Sequence, residues 1–221
     1  GADLGAEKFI DIKCRSAGIR PSAAVLVATI RALKFHGGVA RENLSEENLP
    51  ALRAGLANLN RHINNLREHY GVPAVVSINQ FVADTDAEVE LVMEHCKALG
   101  VQVALSSHWA NGGAGATDLA HMVAEICDAD STPANTPHNS FVYPGELSLW
   151  EKLEAVATKV YHASEITASS KVRDRLKELT DGGYGHLPVC IAKTPYSFST
   201  DPALKGAPDG HVMDIREVRL S

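Results

Sequence analysis

The segment "GVPAVVSINQFVADTDAEVELVMEHCKALGVQVALS", residues 71–106, decides the fold class of this chain. Within it, residues 74–79 form a short, mostly apolar run, which is typical of a strand buried in a parallel sheet. Asp84 or Thr85 can cap the helix that follows, and residues 101–106 form the next apolar strand. A strand, a helix and a second strand in this order predict a parallel pair joined by a crossover helix.

The same alternation extends to both sides of this segment. Residues 23–29 form an apolar run, so we expect a strand that is covered on both faces. Residues 48–69 carry leucine and isoleucine at spacings of three and four, which predicts an amphipathic helix, and residues 119–127 predict another. We therefore expect residues 1–130 to form an α/β fold, with a mostly parallel sheet and crossover helices.

Residues 129–147 are rich in proline, asparagine and serine, which is typical of a loop between two parts of a fold. We place a boundary in this loop, so that residues 131–221 form a smaller α/β C-terminal part. The patterns in this part predict two helices and two strands, at residues 148–162, 169–181, 187–192 and 212–220.

Composition excludes several classes of protein. The chain has 221 residues, of which 45% are apolar, and a formal net charge of −6. An acidic balance counts against general nucleic-acid binding, which needs a basic face for the phosphates. No run approaches the roughly 18 apolar residues of a membrane span, and the first residues lack the pattern of a secretory signal. We expect no nucleic-acid partner, no membrane partner and a cytoplasmic location.

The cysteines and histidines argue against a metal site. The four cysteines lie far apart, which favours reduced thiols in a cytoplasmic protein. The ten histidines form no H-x-x-x-H or H-E-x-x-H pair, so no bound metal is expected. The chain has no initiator methionine and opens in a glycine-containing turn, so we expect an internal piece of a longer protein.

The loops after the strands are where a ligand is expected, because open α/β sheets bind ligands at the carboxyl ends of their strands. Arg31, Lys34 and His36 follow the first strand, together with two glycines. These basic side chains can hold phosphate or carboxylate oxygens. Equally, they can be solvated charges that cover the start of a helix.

Two aromatic residues follow the next two strands. Only 5% of the chain is aromatic, yet Phe81 and Trp109 both fall in loops at strand ends. Two such rings on adjacent strands can sandwich a flat heterocycle. The alternative is that both rings anchor their loops on the core.

A further set of polar residues lies at the ends of other strands. Asn79 ends the second strand, and Lys193, Tyr196 and Ser197 follow residues 187–192. We assign these four to the nucleotide side of a binding cleft. A surface connection explains the last three equally well, and nothing in the pattern alone specifies a reaction.

Five segments of this chain resemble sequence blocks of the formate–tetrahydrofolate ligases, also called 10-formyltetrahydrofolate synthetases. Their order along the chain is also that of the family, and the resemblance covers essentially the whole chain. The segments are "GADLGAEKFIDIKCR" (1–15), "VATIRALKFHGG" (27–38), "INQFVADTDAEV" (78–89), "SHWANGGAGATDLA" (107–120) and "GYGHLPVCIAKTPYSFSTDP" (183–202).

The resemblance implies a fold, a reaction and a set of site residues. The family has a P-loop NTPase-like architecture and joins formate to tetrahydrofolate with ATP hydrolysis, through formyl phosphate. By resemblance, Phe81 and Trp109 are the two faces of a slot for the pterin ring, and Leu105 lines it. It further implies ATP, Mg²⁺, a possible monovalent cation, and a homo-oligomer.

One departure from the family limits the expected activity. The family's phosphate-binding loop lies N-terminal to every segment quoted above, and the P-loop pattern G-x-x-x-x-G-K-[ST] is absent here. Catalytic residues are therefore unassigned, and we expect this chain to be inactive by itself. The alternative reading is a non-catalytic α/β module that binds folate or a nucleotide.

Overall fold

The computed structural model describes residues 5–130 and 140–221. Its helices are α1 (Gly5–Glu7), α2 (Arg15–Ala17), α3 (Ile30–His36), α4 (Leu49–Asn64), α5 (Asp86–Ala98), α6 (His108–Asn111), α7 (Thr117–Ala129), α8 (Leu149–Lys159) and α9 (Ser170–Leu179). The strands are β1 (Ala24–Ala28), β2 (Ala74–Asn79), β3 (Gln102–Ser106), β4 (Glu165–Ala168) and β5 (Val212–Ile215).

Three of these strands form the main sheet, in which β2 lies between β1 and β3 and both pairings are parallel. In its register Ala28 lies beside Ile78, and Ile78 lies beside Leu105. The carboxyl ends of all three strands therefore meet at one edge of the sheet. This arrangement confirms the α/β fold class and the crossover helices predicted from the sequence.

The helix after β2 shows how closely local sequence sets an element boundary. Thr85 Oγ1 accepts a hydrogen bond from the Glu88 N–H, and the Glu88 carboxylate accepts one from the Thr85 N–H. This reciprocal pair is a capping box, which satisfies two amide donors that the first turn leaves free. The predicted start of α5 is confirmed.

Helices α3 and α4 cross at very short range because glycine occurs directly after α3 and within α4. A Cβ built on Gly37 would lie 1.8 Å from the carbonyl oxygen of Ala51, and one on Gly55 would lie 1.9 Å from that of Leu33. Neither position therefore accepts a side chain unless the backbones move apart. This contact fixes α3 directly behind the carboxyl edge of the sheet.

The expectation that the first strand is covered on both faces is wrong. Val25 and Val27 on β1 remain 43% and 52% exposed. Among the described residues β1 pairs only with β2, while α7 packs over β2 and β3. One face of β1 is therefore open, although its sequence has the composition of a buried strand.

Residues 30–38 are not simply a loop, because seven of them form α3. Thr29 caps this helix by accepting a hydrogen bond from the Ala32 N–H at 3.1 Å. Ile30, Leu33 and Lys34 face inward together, as spacings of three and four dictate in a helix. The basic residues of this segment therefore have different surroundings.

The predicted strand at residues 187–192 is also wrong, since these residues join no sheet in the described chain. Side chains satisfy their backbone instead. The buried Lys152 ammonium donates to the carbonyls of Gly185 and Leu187, and the Tyr143 hydroxyl accepts from the Val189 N–H at 3.1 Å.

The C-terminal part contains a small parallel sheet that the sequence patterns revealed only in part. Strand β5 is shorter than the predicted residues 212–220, and it pairs with β4, which was not predicted. Only four residues long, β4 has too little alternation to be recognised from sequence.

Two apolar clusters make up the core. One packs α3, α4 and α5 on the main sheet, and the other surrounds α8 and α9. Ile10 and Cys14, from the helical turn Lys8–Cys14 between α1 and α2, belong to the second cluster. The predicted boundary after residue 130 stays a prediction, and residues 131–139 lie outside the described residues. No helix in the described ranges is long and apolar enough to cross a membrane.

Candidate functional site

Phe81 and Trp109 lie close together at the carboxyl edge of the main sheet. The indole Nε1–H of Trp109 donates a hydrogen bond to the Gln80 carbonyl oxygen at 2.8 Å, which fixes the indole against the residue preceding Phe81. Trp109 remains 59% exposed and Phe81 40% exposed. Neither ring is buried in the core, so both keep exposed apolar surface.

The Phe81 backbone is held in a closed turn. The Phe81 N–H donates to Asp84 Oδ2 at 2.8 Å, and the Asp84 N–H donates back to the Phe81 carbonyl at 3.0 Å. Asp84 is 9% exposed, and its Oδ1 has no hydrogen-bond partner among the described residues. Burial raises the pKa of Asp84, although its hydrogen bond from Phe81 acts in the opposite direction.

The turn that carries Trp109 depends on a glycine-rich segment. The Ser107 N–H donates to the Gly115 carbonyl, and a Cβ on Gly115 would lie 2.6 Å from the Ser107 carbonyl carbon. Asn111 Nδ2 donates to Ser107 Oγ at 2.9 Å. The glycines thus allow residues 107–116 to fold back closely, which fixes Trp109 at the rim.

Three other predicted residues lie at the same edge of the sheet. The Arg31 guanidinium carbon is 6.0 Å from the centroid of the Phe81 ring, and this arginine is exposed. Leu105, on β3, is 37% exposed. Asn79, at the end of β2, is half-buried beside Ser106. An exposed cation, a leucine side chain and an amide therefore accompany the two aromatic rings.

Lys34 occupies a different environment from Arg31. Its ammonium is fully buried, 2.8 Å from Glu88 Oε1, and donates to the Glu46 carbonyl at 2.7 Å. Burial alone would raise the pKa of Glu88, but Lys34 and the N–H groups of Asn48 and Thr85 hold it below its usual value. The sequence analysis did not find Glu88 as this partner, because the two residues lie on separate helices.

His36 and Ser197 meet at the far end of α3. Ser197 Oγ lies 3.2 Å from His36 Nε2, and the Gly206 N–H donates to His36 Nδ1 at 3.2 Å. Ser197 is fully buried and has a φ of 62°, a left-handed conformation that non-glycine residues rarely adopt. These bonds fasten the segment after residue 192 to α3.

The remaining two predicted residues sit in this same segment. Lys193 is exposed, and Tyr196 is half-buried with its N–H bonded to Thr194 Oγ1 at 3.0 Å. Arg31 and His36 are five residues apart on α3, which corresponds to about 8 Å along its axis. Helix α3 therefore connects the two sets of residues: Arg31 lies beside Phe81, and His36 lies beside Ser197.

A separate groove of about 650 Å³ runs along the open edge of β1. Glu7 lines it, although this residue is only 1% exposed and neither carboxylate oxygen has a partner among the described residues. Burial raises the pKa of Glu7 to about 8, and the charge of nearby Asp11 adds to the rise. Asp11 itself accepts hydrogen bonds from the Tyr70 hydroxyl and the Val142 N–H.

Comparison with known proteins identifies the family. A sequence model described as formate–tetrahydrofolate ligase matches residues 1–221. This chain belongs to the formate–tetrahydrofolate ligase family. It is 59% identical to the ligase of Methylococcus capsulatus, 57% to that of Methylibium petroleiphilum and 55% to that of Granulibacter bethesdensis. Each match covers the entire chain but only 38–39% of the relative, so the chain spans under two fifths of these ligases.

The family assignment raises the question of a metal ion. Among the residues that the structure describes, no three histidine, cysteine, aspartate or glutamate side chains converge as metal ligands. Mg²⁺ is commonly held by one or two carboxylates together with substrate phosphates, so this finding concerns only a complete protein ligand set within the described residues.

Proposed function

We propose that this chain is part of an enzyme that joins formate to tetrahydrofolate with ATP hydrolysis, and that it supplies the pterin-binding slot. The observation that carries the proposal is the pair of exposed rings, Phe81 and Trp109, at the carboxyl edge of the sheet. A pterin is flat and aromatic, and offset stacking on such rings contributes favourable energy beyond the buried area. Leu105 lines the slot.

The proposed reaction has two steps. A formate oxygen attacks the γ-phosphorus of ATP, which breaks the bond to ADP and gives formyl phosphate. N10 of tetrahydrofolate then attacks the formyl carbon, the carbon–oxygen bond breaks, and inorganic phosphate leaves as N10 loses its proton. In this scheme the described residues bind and orient the folate, so that N10 is held for attack.

The anionic substrates need cationic or hydrogen-bonding partners, and we propose two groups for them. Arg31 lies beside Phe81 and is exposed, so it can meet a carboxylate or phosphate oxygen. Asn79, His36, Lys193, Tyr196 and Ser197 belong to the nucleotide side. Lys34 contributes indirectly, because its buried charge is matched by Glu88.

Other properties of the enzyme follow as parts of the same proposal. ATP and Mg²⁺ are used with the help of residues outside this chain, and a monovalent cation is a further proposed requirement. The partners are formate, tetrahydrofolate and ATP. The enzyme is proposed to be a cytoplasmic homo-oligomer that binds neither nucleic acid nor membranes.

The test is a titration of tetrahydrofolate into this chain, followed by Trp109 fluorescence. The sequence has two tryptophans, so the experiment uses Trp150→Phe as background and leaves Trp109 as the only indole. Phe81→Ala removes one face of the slot. Phe9→Ala is the matched control, because Phe9 is 43% exposed and lies at the groove along β1.

Saturable quenching that Phe81→Ala abolishes and Phe9→Ala preserves would support the proposal. A stacked pterin is expected to quench the indole, whereas a tryptophan with a purely structural role would not respond. Absence of saturable quenching, or the same loss in both phenylalanine variants, would overturn the assignment of the slot to this chain.

A further inference from the structure

The phenylalanine face of the proposed slot is carried by a very short loop, which needs something to fix it. Between β2 and α5 lie only six residues, 80–85, and Val82 at their tip is 85% exposed. An exposed ring on such a loop loses binding energy if the ligand must first order it. Whatever immobilises this loop therefore influences how well the slot binds.

Asp84 is the residue that immobilises it. Its Oδ2 accepts the Phe81 N–H at 2.8 Å, and its own N–H closes the turn on the Phe81 carbonyl at 3.0 Å. Hydrogen bonds to an ionised acceptor are shorter and stronger than those between neutral groups. The side chain is 9% exposed, so the bond is shielded from competing water.

The residue that follows Asp84 belongs to the buried charge network. Thr85, the next residue, caps α5, and Glu88 completes that cap while pairing with Lys34 on α3. The loop is thus joined to two helices through groups that cannot move independently. Burial and the charge of Glu88 both raise the pKa of Asp84, with the Phe81 hydrogen bond and Lys34 opposing the rise.

We propose that Asp84 is a positioning residue for the pterin slot, which it preorganises by fixing the backbone of Phe81. This inference rests on the proposed function, since it assumes that Phe81 stacks on the pterin. Asp84 does not touch the ligand in this proposal, since its Oδ1 is buried and its Oδ2 is occupied by the Phe81 N–H. Its effect on binding passes through Phe81.

The test compares three aspartate variants in the Trp150→Phe background. Asp84→Ala removes the acceptor, Asp84→Asn keeps an oxygen that can accept the Phe81 N–H, and Asp86→Ala is the control. Asp86 is exposed on the same segment. Tetrahydrofolate affinity is measured by Trp109 quenching, and the free energy of unfolding by denaturant titration identifies any variant that fails to fold.

We expect Asp84→Ala to weaken tetrahydrofolate binding about tenfold, as loss of a hydrogen bond to a charged group predicts. Asp84→Asn should bind within roughly threefold of the parent, because a neutral acceptor retains part of that bond. Asp86→Ala should match the parent. In a Phe81→Leu background, which removes the ring but keeps an apolar side chain, Asp84→Ala should have little further effect.

Three results would overturn this inference while leaving the slot intact. If Asp84→Asn binds as weakly as Asp84→Ala, or the alanine effect persists in full beside Phe81→Leu, Asp84 does not act by accepting the Phe81 N–H. If a folded Asp84→Ala variant binds tetrahydrofolate like the parent, the Phe81 turn does not depend on the Asp84 carboxylate. Failure of the parent to show quenching would instead refute the proposed function, so the two failures are distinguishable.

Discussion

Two buried glutamates in this molecule have opposite surroundings. Glu88, behind the carboxyl edge of the main sheet, is fully buried and accepts hydrogen bonds from Lys34, Asn48 and Thr85. Glu7, in the groove along β1, is 1% exposed, and its carboxylate has no partner among the described residues. The pKa of Glu88 lies below its usual value, and that of Glu7 is raised to about 8.

The difference lies in how each buried carboxylate is compensated. A buried charge is stable only when it is paired and hydrogen-bonded. The Glu88 carboxylate meets that condition, because Lys34 neutralises it. The Glu7 carboxylate does not meet it among the described residues.

The largest expected effect comes from breaking the complete network. Lys34→Met leaves Glu88 buried without its cation, and we expect a loss of roughly 4 kcal/mol in the free energy of unfolding at neutral pH. Acidification should recover part of it, because a protonated Glu88 needs no counter-charge. Urea denaturation measures the loss, with the exposed Lys97→Met as control. A loss below about 1 kcal/mol, as at ordinary surface sites, would show that the pair contributes little.

The second prediction concerns the incomplete site. Because the pKa of Glu7 is raised from 4.5 to about 8 on folding, this group stabilises the protein below pH 4.5 and loses that contribution as pH rises towards 8. Glu7→Gln stays neutral, so its stability relative to the parent should increase by roughly 3 kcal/mol between pH 5 and pH 8. Denaturation at each pH measures this.

The control for this pH series is Glu154→Gln, at an exposed position on α8. Its stability relative to the parent should not change with pH. A Glu7→Gln difference that is equally constant would mean that Glu7 keeps an ordinary pKa, and the contrast between the two glutamates would then disappear.

The smallest expected effect distinguishes the capping box at Thr85 from the one at Ser148. Thr85→Ala and Ser148→Ala each remove a cap and should cost about 1 kcal/mol. Glu88 of the first box also pairs with Lys34, whereas Glu151 of the second is exposed. Thr85→Ala should therefore be non-additive with Lys34→Met, and Ser148→Ala additive, in a double-mutant cycle. Additivity of both would show that the cap and the ion pair are independent.

Much of the main sheet was predictable because its signals are local. The apolar run of β2, the cap at Thr85 and the leucine spacing of α4 each specify an element within a few residues. The pairing of β4 with β5 was not predictable, since it joins two four-residue strands whose paired residues are 47 positions apart. Residues 187–192 look like a strand in sequence, but they join no sheet in the described ranges, and side chains of other elements bond the Leu187 carbonyl and the Val189 N–H.

The same contrast between local signals and long-range contacts applies to the candidate site. Phe81 and Trp109 were found because large rings at strand ends are visible in sequence, and the structure brings them to one edge. A lysine in a sequence gives no sign of whether it faces solvent or a buried carboxylate. The burial of Lys34 beside Glu88 became evident only from its position on the inner face of α3. The link between His36 and Ser197 spans 161 residues and leaves no sequence signal.

The crossing of α3 and α4 has a consequence for how this family segment can vary. At Gly37 and Gly55 any added side chain would collide with a backbone carbonyl at under 2 Å, so no gradual series of larger residues is open to these positions. A change there would displace the whole of α3, and Arg31 and His36 would move with it. The loops that carry Phe81 and Ser197 can change independently of one another. The spacing between Arg31 and His36, by contrast, is set by α3 and changes only if the whole helix moves.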